Sequence, residues 1–112
     1  MSKLPNFKNK KLLDEALTHR SYLNEVKIKL SSNERLEFLG DSVLSLLVSE
    51  YLFDKYKNLD EGMLTNLRSL LVNKKNFSDV AKEIELGRHL KLSKGEEESG
   101  GRNNPSLLAD SF

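Results

Sequence analysis

Between Glu34 and about Tyr56 the chain has the pattern of one long helix, and that helix poses the main constraint on the fold. It opens with NERLEFLGD, residues 33 to 41, and runs into Val43, Leu44, Leu46, Leu47 and Val48. On a wheel at about 100° per residue, Glu34, Glu37 and Asp41 fall within about 60° of one another. Leu36, Leu39, Val43, Leu46 and Leu47 fill the opposite face. Leu44 and Val48 continue the acidic edge, and Phe38 flanks it. A helix that is apolar nearly all round is expected to be a buried central helix. Carboxylates on its edge would then be partly desolvated, which is costly unless a cation neutralises them.

Each acid also has an ordinary explanation. Ser31, Ser32 and Asn33 are all helix N-cap types, and Ser31-x-x-Glu34 matches a capping box, with Glu34 reaching back to the Ser31 amide. Glu37 near a helix start is favoured by the macrodipole. Asp41 could pair with a lysine or an arginine. The sharper signal is Glu37 with Asp41 at i, i+4, because like charges there destabilise a helix. The pairing makes sense if both bind one hard divalent cation through oxygen, as Mg2+ prefers. Asp110, beside Leu107, Leu108 and Phe112, is a further candidate, or else a surface aspartate.

The remaining segments are also helical in spacing. Leu12, Leu13, Ala16 and Leu17 line one face, and Met63, Leu64, Leu67, Leu70 and Leu71 another. Asn76 or Ser78 is the expected cap of a helix carrying Val80, Ala81 and Ile84, with Leu86-Gly87 as its stop. Val26, Ile28 and Leu30 alternate with lysines, as a short strand or a loop. KGEEESGGRNN reads as a polar loop. It ends in Asn104-Pro105, a cap followed by proline at the first helical position, launching PSLLADSF. That last helix has a convincing start and no end, which suggests a shortened chain.

Composition narrows the function classes. In 112 residues there is no cysteine, so neither a disulfide framework nor a thiolate metal site is available. The N-terminus is polar, and no apolar run approaches the ~20 residues that span a bilayer. A soluble, cytoplasmic protein without a membrane association is expected. Charge is nearly balanced, 18 basic against 17 acidic residues, so no overall basic excess announces nucleic-acid binding. Local clusters (Lys8, Lys10, Lys11; Lys27, Lys29; Lys74, Lys75) are solvated faces or phosphate contacts. His19, in THRS, reads as a structural histidine. No phosphate-binding glycine loop or nucleophile elbow is present.

Four blocks in order, ALTHRSYLNE, NERLEFLGDSVLSLLVSEYLF, DEGMLTNLRSLLVN and ELGRHLKLSKGEEESGGRNNPSLLADSF, resemble the ribonuclease III family over essentially the whole chain. The resemblance implies an all-α endonuclease domain, residues 1–112 being its N-terminal portion. The last helices and the double-stranded-RNA-binding domain common in bacterial members are expected to be missing. It implies a homodimer whose valley holds double-stranded RNA for processing, ribosomal RNA included. Glu37, Asp41 and Asp110 resemble the family's catalytic metal ligands, for Mg2+ with Mn2+ able to substitute. Glu34 resembles an acid of the valley and dimer interface, and Glu61 another acid near the site. The family's fourth ligand would follow Phe112, where this chain ends, so weak or absent activity is expected of the chain alone. Hydrolysis would leave a 5′-phosphate and a 3′-hydroxyl. The alternative is a non-catalytic relative that keeps the fold to bind RNA or to dimerise.

Overall fold

The computed structural model describes residues 4–23 and 31–112. Val26, Ile28 and Leu30, with Lys27 and Lys29, lie outside the described residues. Among those described, the regular structure is helical, joined by one isolated parallel bridge between Thr18 and Lys91. The helices are α1 (Lys10–Ala16), α2 (Arg20–Leu23), α3 (Glu34–Lys55), α4 (Glu61–Leu71), α5 (Lys74–Glu83), α6 (Lys94–Glu98) and α7 (Pro105–Ser111). Short 3-10 turns lie at Leu86–His89 and Gly101–Asn103.

Most starts are written in the local sequence. Side chains of Asn9, Asp60, Asn73, Ser93 and Asn104 accept amide protons in the first turns of α1, α4, α5, α6 and α7. The cap of α5 is therefore Asn73 rather than Asn76 or Ser78, which lie inside the helix. Its stop also comes earlier than Leu86-Gly87. Ile84 ends the helix and Glu85 adopts a left-handed conformation, φ 56°. Gly87 is needed for another reason: a Cβ there would collide with the Arg102 carbonyl. The stretch expected as a polar loop instead folds into α6 and the Gly101–Asn103 turn. Arg102 fastens it, with Nη1 donating to the carbonyls of Gly87 (2.9 Å) and Leu90 (2.8 Å) and Nε to Glu97 (2.9 Å).

Leu17, Ala81, Leu86, Leu90, Leu92 and Leu108 form the core, with Leu4, Leu13 and Ile84 packed against it. Helix α7 lies chiefly on α5, where buried Ser78, Ala81 and Ala109 are small enough for close approach. The 22-residue α3 is about 33 Å long. Its second half pairs with α4 in an antiparallel hairpin, with Arg68 donating to Ser49 Oγ (3.0 Å). This hairpin returns the chain, at Val72–Lys74, to the acidic half of α3.

The expectation that α3 is buried is not met within this chain. Leu52 is its one buried residue, whereas Phe38 (78% exposed), Leu46 (65%) and Phe53 (71%) face outward. The molecule measures 54 × 28 × 26 Å, and its 16.0 Å radius of gyration exceeds the roughly 13 Å of a compact chain this size. Its accessible surface is 8319 Å2, against roughly 6300 Å2 for a folded monomer of equal mass. The helical periodicity of α3 is correct. What the wheel lacks is the identity of the surface that covers its apolar side.

Candidate metal centre

Glu37 and Asp41 project from successive turns of α3, and α7 brings Asp110 to them. All three border one cleft of about 300 Å3, together with Ser45 and Lys74. Glu37 and Asp110 also border two neighbouring clefts. One, of about 430 Å3, is walled by apolar groups such as Leu12, Leu44 and Phe77. The other, of about 580 Å3, is polar and includes Arg20, Glu34, Glu96 and Asn104.

The crowding has an electrostatic signature. Partial burial pushes the Glu37 carboxyl above its ordinary 4.5, and the charge of Asp110, a hydrogen bond with it, and the charge of Asp41 push the same way. The Lys74 ammonium opposes them. Lys74 Nζ lies 3.4 Å from Asp110 Oδ1, its side chain 70% exposed and that of Asp110 30%. The donors are carboxylate oxygens, the type a hard divalent cation takes. Among the described residues, no three acidic or imidazole side chains close to a finished cage. An open carboxylate edge still suits Mg2+, which keeps several of its waters.

Two other residues set this geometry. Asn33 occupies the cap position of α3, yet its side chain caps nothing. Instead, buried Asn33 donates from Nδ2 to the Ala16 carbonyl (3.2 Å) and to Ser111 Oγ (3.1 Å). Its amide donates to the Thr18 carbonyl (2.9 Å), and its own carbonyl receives the Glu37 amide (2.8 Å). The end of α1, the start of α3 and the end of α7 are thus tied at one residue, and Glu37 is registered against Asp110. Phe112 stacks at 5.6 Å on Phe77 of α5, holding α7 from the other side.

The expected capping box does not form, since Glu34 accepts from Ser32 Oγ (3.1 Å) rather than reaching Ser31. Glu34 borders the polar cleft with Glu37. Glu61 is not brought to these acids. It lies in the first turn of α4, and the Arg68–Ser49 register puts it beside the far end of α3, roughly 25 Å from Glu37. His19 sits as a structural residue, its Nδ1 accepting the Ser21 amide (3.1 Å) beside the Ser21 hydroxyl (2.8 Å). The sequence reading leaves Lys74 among the lysine clusters and Asn33 among the cap types. The signal for Lys74 is two lysines with no acid in the first turn of α5, where the macrodipole favours acids. Asn33 carries no comparable local signal.

Comparison with known proteins gives this arrangement a family. The sequence model of the Ribonuclease-III-like family matches residues 9–112, and the chain belongs to that family. It is 51% identical over 108 residues to Ribonuclease 3 of Oceanobacillus iheyensis, covering 96% of this chain and 47% of that protein. It is 50% identical over 107 residues to Ribonuclease 3 of Streptococcus pneumoniae strain TIGR4, covering 95% and 46%. The chain thus spans about half the length of the curated relatives it matches. Two solved structures of the ribonuclease III nuclease domain from Campylobacter jejuni superpose with TM-scores of 0.86 and 0.84, both at 48% identity. They cover 95% of this chain and 71% and 69% of theirs, and one concerns a region involved in dimer formation. The all-α nuclease-domain fold follows, and no described helix is long and apolar enough to cross a membrane.

Proposed function

We propose that this chain is the N-terminal portion of the catalytic domain of a metal-dependent endonuclease that cuts double-stranded RNA during RNA processing, ribosomal RNA included, in the cytoplasm. The observation carrying this reading is the convergence of Glu37 and Asp41 from α3 with Asp110 from α7 on one cleft. Those carboxylates would hold Mg2+, with Mn2+ able to substitute. A divalent cation held there would supply Lewis acidity for hydrolysis of a phosphodiester to a 5′-phosphate and a 3′-hydroxyl. The chain's own contribution is orientation. Asn33 keeps α3 and α7 in register, so the acids stay aimed at the same space.

A second copy is part of the reading. The face of α3 with Leu39, Leu46 and Leu47 is more than half exposed, and an apolar stripe of that size is characteristic of an interface. Paired copies would set two acidic clefts along one valley able to accept an A-form duplex by shape. Glu34 borders the cleft side of that valley. Glu61, remote from the acids of its own copy, could serve such a site only from the other copy.

The test is cleavage of a perfect RNA duplex with Mg2+ by this chain and by a form spanning the length of its curated relatives. Glu37→Ala and Asp41→Ala in the longer form are expected to lower the rate by more than about a hundredfold, the upper range for disturbing a metal's outer shell. Undiminished cleavage by both variants would overturn the metal assignment. Tight duplex binding without cleavage by the unmodified longer form would favour a non-catalytic relative.

A further inference from the structure

Lys74 stands at the mouth of the acidic cleft, in a position that works against its own helix. It is the first residue of α5, a ten-residue helix with no acid in its first turn. Cations at a helix N-terminus are disfavoured by the macrodipole. The adjacent lysine has a local remedy, since Lys75 Nζ lies 3.6 Å from Asp79 Oδ2 at i, i+4. Lys74 has none on its own helix. Its partner is Asp110, brought from α7, at 3.4 Å. The α3–α4 hairpin ends at the same place, so Val72, Asn73 and Lys74 line one cleft with Asp41 and Ser45 of α3.

We infer that Lys74 is a built-in competitor for the divalent cation: its ammonium occupies the open side of Asp110 in the metal-free chain and must give way when a metal ion binds. The inference rests on the metal-centre reading above and adds a residue to it. Three carboxylates on one cleft repel one another, and a tethered ammonium relieves that repulsion without closing the site. The same ammonium opposes an incoming cation twice, by holding Asp110 and by its own charge. With 70% of its side chain exposed, Lys74 can swing into solvent without repacking anything. The result is a cleft that is tolerable when empty and holds its metal less tightly than bare acids would.

The measurement is Mn2+ affinity, read in this chain from paramagnetic broadening of the Glu37, Asp41 and Asp110 amide signals, with no turnover required. Lys74→Met is expected to tighten Mn2+ binding by about tenfold, as removing one unit charge several ångströms from a divalent ion does near a protein surface. Lys74→Arg, which keeps the charge, should stay within about twofold of the wild type. Lys75→Met, which removes the neighbouring charge paired to Asp79, should do the same. Equal or weaker binding by Lys74→Met would overturn the inference and leave the metal centre standing. Absence of site-specific broadening in the wild-type chain would overturn the metal centre, and this inference with it.

Discussion

Glu37 carries the tension of the site. Burial and two neighbouring acids raise its pKa above the unfolded value, so the folded chain holds that proton more firmly than the unfolded chain does. In the metal-free protein its stabilising contribution is fully present below about pH 4.5, the ordinary glutamate value. It is lost as pH climbs through the raised value. Glu37→Gln removes the charge and keeps the shape. It is expected to raise the melting temperature of the metal-free chain at pH 7 by roughly 2–4 °C and to flatten its decline above pH 5. Thermal melts across pH in the presence of a chelator check this. An unchanged pH profile would mean the three acids are not crowded in solution. Added Mn2+ should stabilise the wild type more than Glu37→Gln, since a cation relieves the same repulsion and needs the missing oxygen.

Among the elements, the segment from Leu86 to Asn104 does the least obvious work. Its regular structure comes only in short pieces, two 3-10 turns and α6, yet it carries Leu86, Leu90 and Leu92 into the core and sets the entry of α7. Arg102 holds it together by donating to two backbone carbonyls. Arg102→Ala strands those acceptors in a part-buried place and is expected to cost about 1.5–3 kcal/mol, the range for hydrogen bonds involving a charged group. Chemical denaturation should show this as a lower midpoint with an unchanged slope, and Arg102→Lys should recover only part of it. A loss below about 0.5 kcal/mol would mean the turn is held by its leucines alone.

What the sequence disclosed divides along the same line. The start of α7 is legible because Asn104, ahead of Pro105, acts on amides two and three residues away. The same holds for the i, i+4 acids of α3. Asn33 is legible as the cap position of α3 but not as a tie, because its side-chain partners, Ala16 and Ser111, lie 17 and 78 positions distant. The KGEEESGGRNN stretch is misread as loop for a similar reason. Its helical turn is fixed by Arg102 reaching back to Gly87 and Leu90, and by the close approach of Gly101 to the Glu96 carbonyl, where a Cβ would stand 2.8 Å from the oxygen. Asp110 was nameable from motif, but its pairing with Lys74 needed the α3–α4 hairpin to bring two ends together.

At the scale of the whole molecule, the exposed side of α3 is the feature that demands a partner. The chain's surface exceeds a compact monomer's by roughly 2000 Å2, more than the ~800 Å2 that each partner buries in a standard protein–protein interface. Leu46, at 65% exposure, stands among Leu39, Val43 and Leu47 on that side. In a symmetric pairing each copy would present the same stripe, so one substitution acts twice. Leu46→Glu is expected to weaken self-association by at least about thirtyfold, the factor matching a ~2 kcal/mol contact at an interface centre. The same substitution should leave the monomer's fold intact, because Leu46 contributes nothing to the buried core. Sedimentation equilibrium of the wild type and the variant decides the matter, with circular dichroism as the check on folding. A monomeric wild type, or a variant that associates as strongly, would assign the stripe to some other covering surface. Loss of duplex cleavage in step with loss of the dimer would tie the acidic clefts to the pairing itself, since a duplex bound across two clefts needs both.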